Sequence, residues 1–194
     1  MNRLRPNIRP NLAGDFPEIH PSALIDPSAQ IIGKVIINKN VFVGPLSVIR
    51  ADERGAEGFV APIILDEEVN VQDGVIIHSQ SGEIVEIGAK TSVAHGATIH
   101  GPCKIGIGCF LAMRCVLYSA DLENHVWVGM GAKVMKTALA SHTYVPAGSV
   151  IKSIPDTWNL RVVSTKEKAY IDDVLARSAS LREDYRKLAG IEAP

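Results

Sequence analysis

Three of the six histidines, His78, His95 and His100, cluster mid-chain, and charged residues gather just ahead of them in Arg50-Ala51-Asp52-Glu53 and Gln72-Asp73. Neutral imidazoles are ligands for zinc and its neighbours, and the same ring can act as a general base. A carboxylate beside a histidine can orient the ring or carry a proton. An arginine beside two aspartates suits ion pairs across a subunit seam. An isolated surface histidine, by contrast, is most often only solvated. The choice depends on whether the fold brings these side chains together.

The elements that must position them follow a repeat of six. Aliphatic residues recur at Ile25, Ile31, Ile37, Val43 and Ile49, at Leu65, Val71 and Ile77, and at Ile87, Val93, Ile99, Ile105 and Leu111. After a small slip, Val128 and Val134 continue the series, and Leu139, Val145 and Ile151 close it. Four residues beyond most of them stands a small or β-branched side chain, such as Val35, Ser47, Thr91 or Ala97. Two inward positions per six residues, separated by Gly, Asn, Asp and Pro, describe one short strand and one corner. Independent strands of a sandwich would not keep one phase of six. The period resembles the hexapeptide repeat of the left-handed parallel β-helix, in which about eighteen residues advance the chain by one strand spacing of roughly 4.8 Å. The left hand comes from that resemblance, because ordinary crossovers are right-handed.

Composition suits such a prism, with 46% hydrophobic residues but only 5% aromatic ones. The 194 residues are expected to form a single domain, 1–194, with the β-helix over about 20–155. A net charge of -1 argues against nucleic-acid or polybasic membrane binding. No run approaches the roughly 20 apolar residues of a membrane span, and Met1–Asn7 lacks the apolar stretch of a signal peptide, so a cytoplasmic protein is expected. Cys103, Cys109 and Cys115 fall at the small inward position on three successive faces, which makes them buried thiols and not metal ligands. The period breaks at 50–58 and 79–86, and loops inserted into a solenoid tend to build sites.

Beyond the repeat, Ser164-Thr165-Lys166-Glu167 reads as a capping box. Tyr170, Val174, Leu181, Tyr185 and Leu188 follow at helical spacing until Gly190. A helix over about 164–190 should dock by that stripe along the prism.

Register arithmetic then places the histidines. His78 and His100 each follow an inward isoleucine, three hexads apart, and should stack one coil apart on one face, which is chelating geometry. His95 lies on the preceding face near a corner, so a neighbouring prism around a threefold axis could supply it, which predicts a trimer. Counting hexads through Phe59 puts Arg50 and Gln72 one coil apart on the His95 face, with Asp52, Glu53 and Asp73 beside them.

Arg50–Glu53, Asn70–His78 and Ala94–Pro102 together resemble the gamma-class carbonic anhydrases, over most of the chain. The resemblance implies a homotrimer with a metal at each interface, held by His78 and His100 of one chain and His95 of the next. The metal would be Zn2+, with Fe2+ or Co2+ also possible. It implies reversible hydration of CO2 to bicarbonate by water activated on the metal. Gln72 would orient the reactants, Glu53 would help move protons, and Arg50, Asp52 and Asp73 would hold the interface. Two features depart from the family pattern. Ser79–Glu83 is short where the best-known member carries a long acidic loop, and only Asp172 matches the family's catalytic asparagine in the helix. The competing readings are a hexapeptide-repeat acyltransferase with a histidine base and coenzyme A, and a trimeric metal-binding scaffold without turnover.

Overall fold

The computed structural model describes residues 7–188. Strands of two to four residues wind into three sheets of eight, seven and eight strands, the faces of a left-handed triangular β-helix. The chain visits the faces in rotation. Face 1 contains Val48–Ala51, Ile76–His78, Thr98–His100 and Val116–Tyr118. Face 2 contains Val35–Ile37, Ile63–Leu65, Val85–Ile87 and Cys103–Ile105, and face 3 contains Phe42–Val43, Asn70–Val71, Ser92–Val93 and Phe110–Leu111. Within the three sheets the described strands pair in parallel, except that Arg161–Val162 closes face 3 antiparallel to Thr143–Val145. The winding starts before residue 20, since Ile8–Arg9 already pairs with the next coil of face 1.

Every inward aliphatic of the repeat from Ile31 to Ile151 is buried, and Ile25, near the start of the winding, is partly so. Leu117 and Leu122 fill the slip before Val128. Stacking is in register, Ile49 beside Ile77 and Ile77 beside Ile99, so each coil is a layer of interdigitating aliphatics. Fully burying one such side chain stabilises by about 1.5–3 kcal/mol. The cysteines lie in these layers, and burial pushes Cys103 and Cys109 up to about 11 and Cys115 to about 12. They are protonated core residues.

Helix α1, Thr165–Leu188, runs along face 3. Its capping box is formed: Ser164 N–H donates to Glu167 Oε2 at 2.7 Å and Glu167 N–H to Ser164 Oγ at 3.4 Å. The docking face differs from the expected stripe. Leu181, Tyr185 and Leu188 are exposed, while Ile171 is buried against Ala94, Phe110 and Ala112, with Leu175 and the expected Val174 beside it and the half-exposed Tyr170 ring against Phe110 and Trp127. Toward the C-terminus the contact is polar: Arg182 donates to Asn40 O and the buried Arg186 to Ser22 O. Backbone carbonyls at the edge of face 3 stand there, within reach of long cationic side chains. Gly190 lies outside the described residues. No described helix is long and apolar enough to cross a membrane.

Candidate metal centre

Parallel pairing on face 1 sets His78 directly opposite His100, as the count of hexads predicts. The same ladder sets Arg50 opposite His78 on the other side and Tyr118 opposite His100. Arg50 therefore belongs to the His78 face, one coil below it, and not to the face of Gln72 and His95. Counting Phe59 as a hexad shifts the register by one face; Phe59 is exposed within the excursion 52–62, and Ile49 is followed on the next face by Leu65.

Both breaks in the period lie at the corner between faces 1 and 2, on successive coils, where they pack together. Gly55 and Gly82 meet so closely that a Cβ on Gly82 would lie 2.7 Å from Gly55 Cα. Ser81 then donates from its N–H and its hydroxyl to Glu53 Oε2, at 3.1 and 3.0 Å. Those two bonds, the backbone one foremost, hold Glu53 below the usual carboxylate value. The other oxygen, Oε1, stands 3.3 Å from His78 Nε2, with Asp52 Oδ1 at 3.7 Å. Neither contact is aligned as a hydrogen bond, and both His78 Nε2 and Asp52 Oδ1 are enclosed without one, so the attraction is electrostatic. Arg50 Nη1 donates to Asp52 Oδ2 at 3.1 Å.

These outer partners bias which ring nitrogens carry the protons. Carboxylates favour the proton on His78 Nε2, and the Gly101 carbonyl, 3.3 Å away, favours it on His100 Nδ1. His78 Nδ1 and His100 Nε2 face each other across 3.4 Å, within hydrogen-bond reach, with the ring planes at 76°. Without a cation one of these nitrogens can donate its proton to the other; with both deprotonated they present two lone pairs to one ion. Nitrogens bound tetrahedrally at about 2.0–2.1 Å to one zinc lie roughly 3.3–3.4 Å apart, so the pair fits such an ion. Burial holds the His78 imidazole below its ordinary value, Arg50 and His100 adding to the effect against Glu53 and Asp52, which favours the neutral ligand form. Tyr118 was missed from the sequence, though it follows His100 by one eighteen-residue coil. Its ring centroid lies 5.4 Å from that of His100 and backs it.

The other residues of the predicted site occupy the opposite edge of face 1. His95 sits at the corner after Ser92–Val93, with Asp73 Oδ2 3.4 Å from its Nδ1. Gln72 adjoins Asp73 on face 3, half-buried. A strand length of roughly 15 Å separates this corner from His100. Among the described residues, no three His, Cys, Asp or Glu side chains of one chain are placed to hold a metal ion. Asp172 lies elsewhere, in a cleft with His125 between α1 and the corner of faces 2 and 3.

No family model matches the chain. A carbonic anhydrase from Methanosarcina thermophila is 31% identical over a 193-residue alignment that takes in 88% of this chain and 75% of that protein. The chain belongs to the gamma-class carbonic anhydrase family. Relatives with other names match it as well. The carboxysome assembly protein CcmM of a Nostoc species is 31% identical over 87% of this chain, which spans 31% of that longer protein. The carnitine operon protein CaiE of Escherichia coli is 32% identical, covering 88% of this chain and 84% of that one. Among solved structures, a hexapeptide transferase family protein from Anaplasma phagocytophilum superposes with a TM-score of 0.76 at 21% identity, over 94% of this chain and 99% of that chain, a likeness of fold.

Proposed function

We propose that this gamma-class chain forms a homotrimer in which His78 and His100 of one subunit and His95 of the partner subunit hold a divalent metal, zinc foremost and iron or cobalt otherwise, and that the site hydrates CO2 reversibly to bicarbonate. The observation that carries this reading is the pair of imidazole nitrogens 3.4 Å apart, the separation of two nitrogens bound to one zinc, with carboxylates and a carbonyl beside the outer nitrogens. The two half-sites lie on opposite edges of one face, so a head-to-tail contact joins unlike edges, and a threefold rotation closes it as a ring. That face and its His95 corner also carry exposed Leu46, Ile76, Met113, Met130 and Val150, apolar surface suited to burial against a second copy.

When bound by three neutral imidazoles, a divalent metal lowers the pKa of water to about 7 and so supplies a nucleophile for CO2 at neutral pH, the chemistry for which carbonic anhydrases are the general example. The chain's own residues supply orientation and proton movement. Glu53, ionised by its Ser81 bonds and 42% exposed at its side chain, can accept a proton at the site and pass it to solvent. Gln72 has an amide free to donate to an oxygen of the reactants. Arg50 with Asp52, and Asp73 with His95, present charges at the two edges that meet across the seam. The unpaired core cysteines support a reducing, cytoplasmic setting.

A second reading, a metal-binding trimer without turnover, draws on the relative named for carboxysome assembly, as similar in sequence as the carbonic anhydrase. Stopped-flow CO2 hydration with a pH indicator on metal-replete protein separates the two. Turnover above that of free metal, accelerated by imidazole buffer, supports the enzyme; full metal with no turnover supports the scaffold.

A further inference from the structure

A second pair of histidines occupies the corner between faces 2 and 3. His125 and His142 sit on successive coils, both in left-handed backbone with φ of 58° and 62°. Their rings stack with centroids 5.0 Å apart and planes 12° apart. The start of α1 passes over them and closes a cleft of about 210 Å³. Lys90, Lys168 and Asp172 join the two imidazoles around it, and Ile107, Ile171 and Leu175 give it an apolar wall. Gly108 shapes the bottom: a Cβ there would lie 2.7 Å from His125 Nδ1, so the missing side chain makes room for the ring.

The geometry points to a binding site for a small organic carboxylate, with its anionic head beside the imidazole edges and the Lys90 and Lys168 ammonium groups and its apolar body against Ile107, Ile171 and Leu175. Near-parallel, offset rings hold their in-plane lone pairs in planes that do not meet at one point between them, so the pair is not set to converge on one metal ion. Two lysines against one aspartate leave the cleft net positive even with both imidazoles neutral. An apolar wall favours an organic anion over inorganic phosphate, and the volume, below that of drug-sized pockets, favours a metabolite of a few carbons. Burial first, then His142 and Lys168, hold His125 below its ordinary value against the pull of Asp172, and a bound anion would reverse that direction. The site lies at a different corner from the metal residues, so it stands independently of the proposed reaction.

Titrating the metal-loaded protein with butyrate while following imidazole resonances by heteronuclear NMR tests the site, with butylammonium and butanol as probes of the same body and different charge. The expected result is a saturable shift at His125 and His142 with a Kd on the order of 1 mM, a raised His125 pKa, and a loss of affinity of about three- to five-fold in each of Lys90→Gln and Lys168→Gln. Butylammonium should leave both resonances in place, and butanol should bind more weakly than butyrate. Absence of saturation, equal response to butylammonium, or unchanged affinity in both lysine variants would overturn the assignment. A response confined to His78 and His100 would overturn it equally, since it would place the carboxylate at the metal centre.

Discussion

His78 with His100 and His125 with His142 are two pairs of one residue type, each stacked on successive coils of the same prism, yet their geometry differs. The first pair stands on a flat face with rings at 76° and two nitrogens 3.4 Å apart; the second stands on a corner with rings at 12° and centroids 5.0 Å apart. The repeat supplies the spacing in both cases. What separates them is the outer neighbours: Asp52 and Glu53 beside His78 and a carbonyl beside His100, against two lysines and one aspartate at the corner. Carboxylates and a carbonyl beside the outer ring nitrogens favour protons there and so free the inner nitrogens for a cation, whereas ammonium groups favour an anion. Coil register makes a histidine pair, and the inserted loops set carboxylates beside the one proposed to hold metal.

The largest effect that could break this contrast is in metal content. His100→Ala should lose stoichiometric metal and bring CO2 hydration down to the level of free metal, while His142→Ala should keep both; elemental analysis and stopped flow check this. Removing an outer partner should act less severely. Glu53→Gln keeps the shape but not the charge beside His78, and should weaken metal affinity about 10- to 100-fold in competition with a chelator, with Lys168→Gln unchanged.

A third set of metal-type residues, the cysteines, sharpens the comparison through pH. The unfolded chain releases thiol protons near pH 9, whereas the folded chain keeps them until about 11 for Cys103 and Cys109 and about 12 for Cys115. Above pH 9 the unfolded state therefore binds fewer protons, and stability falls as pH rises, by at most about 1.4 kcal/mol per pH unit for each thiol. Denaturation midpoints from pH 8 to 10 should show this slope, and Cys103→Ala, Cys109→Ala and Cys115→Ala combined should flatten it. The smallest effect belongs to the rim of the corner cleft, where Ser164→Ala should cost about 0.5–2 kcal/mol of stability by thermal unfolding and leave metal content untouched.

The sequence made the inward rows legible because a period of six is enforced at every layer of the core, and it made the opposed pair of His78 and His100 legible because only one inserted loop separates their coils. Arg50 was misplaced because nothing within 52–62 obeys the period, so an exposed Phe59 could pass for an inward residue. The packing of Gly55 on Gly82, which delivers Glu53 to His78, joins two loops that no local pattern connects. The helix was legible through its capping box, but its docking side was chosen by Phe110 and Trp127 on face 3 and by carbonyls within reach of Arg182 and Arg186, tertiary features that apolar spacing does not encode.

The central proposal, a metal shared between chains, is tested most directly by complementation. His95→Ala chains and His78→Ala/His100→Ala chains each carry one half of the site, so each expressed alone should hold no stoichiometric metal. Coexpressed in equal amounts, a random trimer puts an intact pair at one interface in four, and metal should return to about a quarter of the natural occupancy. Full metal in the His95→Ala protein alone, or none in the mixed trimers, would contradict it.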